Sequence, residues 1–347
     1  MWDVAIVGSG PAGASCAAFC ATAGLRTLVL ERAKFPREKV CGDCLNPACW
    51  SVLDRLGLSA EVRAAPHGRL AAVEFIGIDG RSVIAPLPSG EGAEIALKRS
   101  LLDQILLRRA RSLGAEVREG ETLLALKRGP HWQIATEQSE ETAQVLVAAD
   151  GRNSTVARLC NLMPRHGPDR VALQTHVPLP RNFGDRVVLQ LLREGYSGQA
   201  PVGDGLLNLC LVSRPRDLPA IRCWAERQFA IPVGHTWRTI APLARAALPA
   251  SQPGLYLIGD AARVVEPFTG EGIYYALRSG ELAAAAIKAN DGRRYAVAHR
   301  RLYAGRLWIN LLARRAVLHP RLTTSLLRFL PNEKLILSLL TTKVVRL

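Results

Sequence analysis

The sequence predicts an α/β protein in which a parallel sheet is joined to a mainly antiparallel sheet and followed by C-terminal helices. Three observations lead to this prediction. An apolar strand at the N-terminus runs directly into a glycine-rich turn and a helix. Two further apolar strands, near residues 145 and 255, end in Asp-Gly and Gly-Asp. Residues 66–97 and 170–213 contain short runs bounded by Gly and Pro, which is typical of antiparallel strands.

The first strand, residues 2–8, leads into a G-x-G-x-x-G motif formed by Gly8, Gly10 and Gly13. A small-residue helix follows, and the next strand ends in Glu31. In this context Gly8 permits the tight turn, Gly10 lets the backbone approach a pyrophosphate, and Gly13 lets the helix pack close to the sheet. Glu31 would accept hydrogen bonds from a ribose. The segment therefore predicts a dinucleotide site at a helix N-terminus.

Two later strand ends indicate which dinucleotide is bound. Asp150-Gly151 follows one strand, and Gly259-Asp260 follows another before a glycine-rich turn and a helix over about 273–289. Three such sites favour FAD spanning the sheet over a nicotinamide nucleotide alone. The turn Pro267 to Gly272 precedes that helix, so its N–H groups can stabilise negative charge on a reduced flavin. Gly270 and Gly272 would let the backbone approach the ring.

These residues resemble the FAD-dependent monooxygenase superfamily, which shares the para-hydroxybenzoate hydroxylase fold, and within it most of all the geranylgeranyl reductase family. The segments Phe35-Pro36-Arg37-x-Lys39-x-Cys41-Gly42 and Pro267-x-Thr269-Gly270-Glu271-Gly272-Ile273 are typical of the reductases. The resemblance implies a Rossmann-like FAD-binding domain with a parallel sheet and an inserted, mainly antiparallel substrate domain. The predicted cofactor-binding residues are Gly8, Gly10, Pro11, Ala12, Gly13, Glu31, Arg32, Cys41, Gly42, Arg99, Asp150, Gly151, Gly259, Asp260, Pro267, Gly270, Gly272 and Ile273.

The resemblance also implies individual roles and domain limits. Glu31 matches the ribose acid, Arg99 an arginine near the cofactor, Asp150-Gly151 the motif beside the pyrophosphate, and Asp260 the residue bonded to the ribityl chain. The expected domains are an FAD-binding domain of residues 1–65, 98–165 and 250–292, a substrate domain of 66–97 and 166–249, and a basic helical segment of 293–347. Residues 216–249 are expected to form a helix and a strand that returns to the FAD-binding domain.

The substrate side departs from the family pattern. Geranylgeranyl reductases usually carry Tyr-x-Trp-x-Phe-Pro in the sheet that covers the flavin. This chain keeps Tyr196 and Pro201 but has Gly198 and Ala200 in place of the two rings, which would widen or reshape the pocket. The Trp-x-Trp-x-Ile-Pro of flavin halogenases is absent from the sequence. Tyr196 and Cys41 are the candidate catalytic residues.

The predicted function is an FAD-dependent oxidoreductase that transfers hydride from reduced flavin to a C=C of a hydrophobic, isoprenoid- or polyketide-like substrate. The alternative is a flavin monooxygenase that hydroxylates an aromatic or polyketide ring through a C4a-hydroperoxide. A third interpretation is a non-enzymatic flavoprotein module that docks on a partner through its C-terminal segment. No second nucleotide motif occurs in the sequence, so the electrons are expected from transient NAD(P)H or from a protein donor.

The cysteines and histidines leave several interpretations open. Cys41 and Cys44 form a C-x-x-C that could be a redox pair beside the flavin, part of the family's cofactor loop, or plain packing. No metal site is expected, because the sequence lacks a second pair at ligand spacing. The seven histidines form no close pair or triad in the sequence. His176 lies on a predicted cavity strand, although a packed or surface histidine is the more usual interpretation.

The positive charge is concentrated at the C-terminus. The whole chain has a formal net charge of +15, and residues 293–347 contain twelve Lys or Arg and a single acid. This segment alternates Leu and Trp with Arg, so it predicts helices that either contact an anionic membrane or cap the substrate domain. Nucleic acid is not expected as a partner. The sequence has no apolar run of about 18 residues and no leading signal peptide, so we expect a cytoplasmic protein, or one peripheral on the inner face of the membrane.

Overall fold

A computed structural model describes residues 1–164 and 170–329 of the chain. His166 and the last part of the predicted basic segment, residues 330–347, lie outside the described residues. The described part contains strands β1 (Trp2–Val7), β2 (Thr27–Glu31), β3 (Cys44–Leu45), β4 (Gly68–Arg69), β5 (Ala72–Ile76), β6 (Ser82–Pro86), β7 (Ile95–Ala96), β8 (Glu116–Glu119), β9 (Leu123–Arg128), β10 (Trp132–Thr136), β11 (Glu140–Ala148), β12 (Val171–Pro178), β13 (Arg186–Leu192), β14 (Gly195–Pro201), β15 (Leu206–Ser213), β16 (Arg238–Ile240), β17 (Ser251–Gln252) and β18 (Leu255–Leu257).

The helices of the described part are distributed along the whole chain. They are α1 (Pro11–Thr22), α2 (Cys49–Leu56), α3 (Ser59–Ala64), α4 (Arg99–Ser112), α5 (Thr155–Leu159), α6 (Leu218–Gln228), α7 (Gly272–Lys288), α8 (Gly292–Tyr303), α9 (Leu307–Leu318) and α10 (Pro320–Phe329). Short 3-10 turns are formed by Pro215–Asp217, Gly259–Ala261 and Pro267–Thr269.

The first sheet has five parallel strands at its centre, in the order β18, β11, β1, β2 and β8. The register pairs Val7 with Leu30 on one side and with Ala148 on the other, and Ala148 in turn with Leu257. Because parallel strands share one direction, the residues that follow β1, β2, β11 and β18 meet at a single edge of the sheet. The antiparallel strand β17 pairs with β18 at one edge, while β10 pairs with the first half of β11 and then with β9.

The second sheet has seven strands in the order β16, β12, β15, β14, β13, β5 and β6. All neighbours are antiparallel except β5 and β13, which run parallel. These two sheets confirm the predicted fold class. One expectation is corrected: residues 216–249 were expected to contain a strand that returns to the first sheet, whereas β16 pairs with β12. The predicted domain limits stay a prediction, and the small sheet β3–β7–β4 combines strands from both predicted domains.

Helices α1, α4 and α7 cover one face of the first sheet, and β9, β10 and α5 cover the other. The closest packing is between α1 and α7. A Cβ atom on Gly280 would lie 2.5 Å from the carbonyl oxygen of Ala12, and Ser15 donates a hydrogen bond to the Leu277 carbonyl at 2.9 Å. This contact sets α1 and α7 side by side, so both N-termini point to the carboxyl edge of the sheet.

The C-terminal helices α8 and α9 pack on the rest of the protein. Tyr295 of α8 is fully buried and donates a hydrogen bond to the Leu257 carbonyl at 2.7 Å. At the start of α9, Arg306 forms a buried ion pair with Glu271, to which Asn310 also donates a hydrogen bond at 3.4 Å. These helices therefore cap the fold. In residues 1–164 and 170–329, none of the helices has the length and apolar character needed to cross a membrane.

Candidate functional site

One large cavity lies between the carboxyl edge of the first sheet and the inner face of the second sheet. Its volume is about 1080 Å³. The predicted residues that line it are Gly8, Gly10, Pro11, Ala12, Glu31, Arg32, Cys41, Gly42, Arg99, Asp150, Gly151, Tyr196, Asp260, Pro267, Gly270, Gly272 and Ile273. Gly13 and Gly259 are not in the lining and pack directly behind it.

The glycine turn after β1 has the tight geometry that the motif predicts. Gly8 has a φ of +96°, and a Cβ atom there would lie 2.6 Å from the carbonyl oxygen of Ala149. A Cβ atom on Gly13 would lie only 1.9 Å from the Gly8 carbonyl oxygen. A Cβ atom on Gly10, in contrast, would have as its nearest atoms guanidinium nitrogens of Arg37 and Arg99, at 3.6 and 4.0 Å. The turn therefore leaves room for a ligand at Gly10 and no room for side chains at the other two positions.

Glu31 holds this turn as well as lining the cavity. One oxygen of its carboxylate accepts hydrogen bonds from the backbone N–H and the hydroxyl of Ser9, both at 2.9 Å. The other accepts from the backbone N–H of Ala33 at 2.9 Å. Each carboxylate oxygen can accept about two hydrogen bonds, so the second oxygen retains capacity for a ribose hydroxyl.

Four cations converge beside the N-terminus of α1. Arg37 and Arg99 face Gly10, and both bond the buried carboxylate of Asp103, at 3.1 and 2.8 Å. Burial, together with repulsion from Arg99, Arg152 and Arg37, lowers the pKa of Lys39 to about 8. A cluster of this kind attracts an anion, as does a helix N-terminus. The charges and the open space at Gly10 fit the pyrophosphate of a dinucleotide.

Asp260 and Asp150 occupy the neighbouring strand ends. The Asp260 carboxylate accepts a hydrogen bond from Arg152 at 3.0 Å, and Arg245 donates to the Asp260 carbonyl at 2.7 Å. Asp150 accepts from the backbone N–H of Val156 at the start of α5, at 3.0 Å. Burial raises the pKa of Asp150, although the hydrogen bond from Val156 opposes this shift. Both carboxylates are therefore held in place at the cavity wall.

The turn before α7 presents bare backbone to the cavity. Gly270 has a φ of +69°, and a Cβ atom on Gly270 or Gly272 would have no described atom within 4 Å. The preceding residue, Glu266, forms a buried ion pair with Arg170 at 2.6 Å, which ties the turn to the start of β12. A fixed turn at the N-terminus of a 17-residue helix is suited to an anionic ring edge.

The opposite wall is apolar. It is built by alternate residues of β5, β13 and β14, which face the cavity because successive side chains of a strand point to opposite sides. Helix α9 closes part of the same wall. The apolar lining residues are Val73, Phe75, Val187, Leu189, Leu191, Ala200, Ile309, Leu312, Ala313 and Ala316. A cavity with a cationic end and an apolar end can hold a dinucleotide and a hydrophobic molecule together.

Tyr196 and Gly198 lie on the cavity side of β14. The Tyr196 ring packs edge-on against Phe268 at 5.3 Å, and its hydroxyl donates to Glu266 at 3.5 Å. Gly198 and Ala200 occupy the positions where the resembled family has rings, and both line the cavity. The cavity is thus wider at these two positions than it would be with rings there, and the Tyr196 hydroxyl points to the Glu266 carboxylate.

The loop Cys41–Cys44 borders both halves of the cavity. The Cys41 carbonyl accepts hydrogen bonds from the Asn208 amide at 2.7 Å and from the Cys210 thiol at 3.1 Å. Burial raises the pKa of Cys41, and that of Cys44 well above its ordinary value. Both thiols are therefore held protonated, which disfavours thiolate chemistry. In the described residues, no group of three His, Cys, Asp or Glu side chains could hold a metal ion.

Four acidic residues of the lining were not selected from the sequence: Glu38, Asp43, Glu94 and Glu121. Asp43, which is 1% exposed and has a φ of +60°, pairs with His176 at 2.9 Å. Burial raises the pKa of Asp43, and its bond to His176 opposes the shift. Glu94 lines the apolar part of the cavity. His176 had a weak signal, since it shares a strand face with the lining residue Ala172, whereas Glu94 had none.

Several known proteins are similar to this chain in sequence or in fold. Residues 1–192 match a family model described as "FAD binding domain". A menaquinone reductase of Mycolicibacterium smegmatis is 31% identical over 310 residues, covering 81% of this chain and 75% of the relative. A digeranylgeranylglycerophospholipid reductase of Methanosphaerula palustris is 28% identical and covers 86% of this chain and 80% of the relative. The structure of the flavin-dependent brominase Bmp2 has the same fold, with a TM-score of 0.79, 22% identity, and coverage of 98% of this chain and 93% of that one.

Proposed function

Because the chain belongs to the FAD-binding domain family within the FAD-dependent monooxygenase superfamily, and is similar to its geranylgeranyl reductases, we propose that it reduces a C=C of an isoprenoid-type molecule. The protein is an FAD-dependent oxidoreductase with a hydrophobic substrate. The observation that carries the proposal is the large cavity, whose cationic end suits FAD and whose apolar end suits a hydrocarbon chain.

FAD, when bound, supplies the hydride. The residues of this chain that would hold it are the glycine turn after β1, Glu31, and the cations Arg37 and Arg99 beside the pyrophosphate. The turn Pro267–Thr269 with Gly270 would hold the ring edge. The apolar side chains of β5 and β13 would exclude water from the reacting carbons and keep the hydrocarbon against the ring.

The two reductase relatives favour an isoprenoid over a polyketide substrate. One is named for menaquinone and the other for a digeranylgeranyl glycerophospholipid. The wall at Gly198 and Ala200 has space for a flexible chain in addition to the ring of Tyr196. We propose that NAD(P)H is the transient reductant of the flavin. A protein electron donor is the alternative.

An anaerobic single-turnover experiment tests this function. Enzyme reduced with dithionite is mixed with menaquinone in detergent micelles, and the return of oxidised-flavin absorbance is followed. We expect reoxidation and a product heavier by two hydrogens, with the added hydrogens in the isoprenoid chain. Reoxidation that requires O2, with a product that gains oxygen, would instead support a monooxygenase. Parallel reductions with NADH, NADPH and a reduced ferredoxin identify the donor.

We also propose that the protein is cytoplasmic and binds the inner face of an anionic membrane through α9. Trp308 and Leu311 of this helix are 44% and 50% exposed, and Arg315 is exposed beside them. Leu312 is 48% exposed and also lines the cavity, so the apolar surface borders its mouth. Apolar side chains flanked by arginines suit the interface of an anionic bilayer.

Vesicle binding distinguishes membrane contact by α9 from a role in which this helix only covers the fold. Leu311→Asp is expected to weaken binding to phosphatidylglycerol vesicles by about tenfold, because a leucine side chain no longer enters the interface. Leu124→Asp is the control, since Leu124 is 54% exposed on β9. Equal binding of wild-type protein to neutral phosphatidylcholine vesicles would contradict the electrostatic part.

A further inference from the structure

Glu94 is a buried carboxyl group in the wall of the substrate end of the cavity. Its exposed fraction is 8%, and it lines the cavity together with Cys44, Leu87 and Ala200. Within residues 1–164 and 170–329, Glu94 has no hydrogen-bond or ion-pair partner. Burying a carboxyl group without a partner costs free energy, and such groups in clefts are candidates for function.

The surrounding structure holds Glu94 in this position. Glu94 precedes β7, the central strand of the small sheet, which pairs with β3 on one side and β4 on the other. The indole N–H of Trp50 donates to the Ala93 carbonyl at 2.9 Å, and Arg63 donates to the Glu91 carbonyl at 3.0 Å. The backbone is thus held on both sides of Glu94, which places its side chain at the cavity wall.

The proposed reduction requires a proton from the wall of the cavity. Hydride adds to one carbon of the C=C, so the other carbon must receive a proton, and the apolar lining excludes bulk water. Other acids of the lining are bonded elsewhere: Glu31 to Ser9, Asp43 to His176, Asp260 to Arg152, and the Tyr196 hydroxyl to Glu266. Asp150, which is bonded to the Val156 N–H, and Lys39 lie at the cofactor end of the cavity, and Glu38 is exposed. Glu121 is bonded to Thr136. The thiols of Cys41, Cys44 and Cys210 are weaker acids than usual, because burial raises their pKa values.

We propose that the carboxyl group of Glu94 protonates the substrate carbon that does not receive the hydride, an inference that rests on the proposed reductase function. In this step the π bond breaks and two C–H bonds form. One takes its electron pair from reduced FAD, which ends oxidised, and the other takes the Glu94 proton. The resulting carboxylate regains a proton from solvent when the product leaves the cavity.

The protonation state of Glu94 supports this role. Burial raises its pKa from 4.5 to about 7, so a large fraction carries a proton at neutral pH. The titratable groups facing it are the thiols of Cys44 on β3 and Cys49 on α2, both of which burial keeps protonated. A general acid is most effective when its pKa lies near the working pH.

Two measurements on Glu94→Gln test the proposal, with Glu91→Gln, on the exposed part of the same loop, as the matched control. The first needs no turnover: infrared difference spectra of the oxidised holoenzyme between pH 5 and pH 9. We expect a protonated-carboxyl band that titrates near pH 7 in wild type and Glu91→Gln and is lost in Glu94→Gln. A wild-type spectrum that lacks this band would contradict the protonation state.

The second measurement is the anaerobic reoxidation of dithionite-reduced enzyme by menaquinone. We expect Glu94→Gln to slow reoxidation by about 10²- to 10⁴-fold, with little change in menaquinone affinity, and to abolish the decline of the wild-type rate as pH rises through 7. If wild type turns over and Glu94→Gln has the same rate and pH profile, the proton-donor role of Glu94 is wrong and the reductase function stands. The same holds if the variant loses only affinity for menaquinone. Wild-type enzyme that no unsaturated substrate reoxidises overturns the proposed function, and the donor role with it.

Discussion

At the scale of single residues, Glu94 links the chemistry of the cavity to the stability of the protein. Its carboxyl group is protonated in both the folded and the unfolded chain at pH 4. Between pH 4.5 and pH 7 the unfolded chain releases this proton and the folded protein retains it. The contribution of Glu94 to the free energy of unfolding must therefore decrease as pH rises through this window.

The size of this effect can be measured by comparing wild type with Glu94→Gln. We expect the variant to gain up to about 3 kcal/mol relative to wild type between pH 4 and pH 8, since glutamine carries no charge to bury. Urea unfolding at the two pH values provides the measurement, and Glu91→Gln should show no such trend. A difference between Glu94→Gln and wild type that does not vary with pH would mean that the carboxyl group is solvated.

Two glycines of the same turn have opposite physical reasons to be glycine. A Cβ atom at Gly13 would meet the Gly8 carbonyl oxygen at 1.9 Å, whereas at Gly10 the nearest atom, a nitrogen of Arg37, is 3.6 Å away. Gly13→Ala should lower the stability of the apoprotein by about 2 kcal/mol or more, because the helix must move from the sheet. Gly10→Ala should change that stability by at most about 1 kcal/mol, because alanine is a poorer N-cap residue but restricts the unfolded chain, and should weaken FAD binding at least tenfold. Thermal unfolding of the apoproteins and FAD titration measure the two effects, and equal unfolding temperatures would contradict the packing argument.

At the scale of elements, β14 determines the shape of the substrate wall. Gly198 and Ala200 face the cavity, and a Cβ atom at Gly198 would touch only the Leu189 side chain, at 3.7 Å. Gly198→Trp should therefore fold and fill part of the cavity. We expect it to reduce kcat/KM for a long-chain menaquinone more than for a short-chain one. Gly129→Trp is the control, at an exposed glycine outside the cavity where a Cβ atom would lie 3.7 Å from its nearest atom, the His131 carbonyl oxygen, and equal losses for both chain lengths would exclude β14 as a determinant of size.

The parallel strands explain how much of the site could be predicted from the sequence. The turns after β1, β11 and β18 were predicted to converge because motif spacing identifies strand ends, and parallel strands place these ends at one edge. The Asp43–His176 pair joins residues 133 positions apart, and it depends on which face of β12 meets the loop. Glu94 shows the same limit, because a single acid in a loop carries no periodicity. The strand β16 was assigned to the wrong sheet because three residues specify no partner.

At the scale of the whole molecule, the buried ion pair between Arg170 and Glu266 connects the second sheet to the turn before α7. Removing one partner leaves a buried charge, which costs about 3–5 kcal/mol, while removing both costs much less. We expect Arg170→Met to be less stable than Arg170→Met/Glu266→Gln and to bind FAD more weakly than wild type. Urea unfolding and FAD titration of the three proteins check this. A double variant as unstable as the single one would mean that the pair does not carry the connection.

Helix α9 is at once a wall of the cavity and part of the outer surface. A substrate that enters past this helix from a bilayer meets the enzyme in two dimensions. Its effective concentration is then the number of molecules per lipid, not per litre. Diluting menaquinone with inert phospholipid at constant total menaquinone should therefore lower the rate, whereas diluting the whole suspension with buffer should leave the rate per bound enzyme unchanged. Surface dilution of this kind would make membrane composition, through the mole fraction of substrate, the quantity that controls turnover.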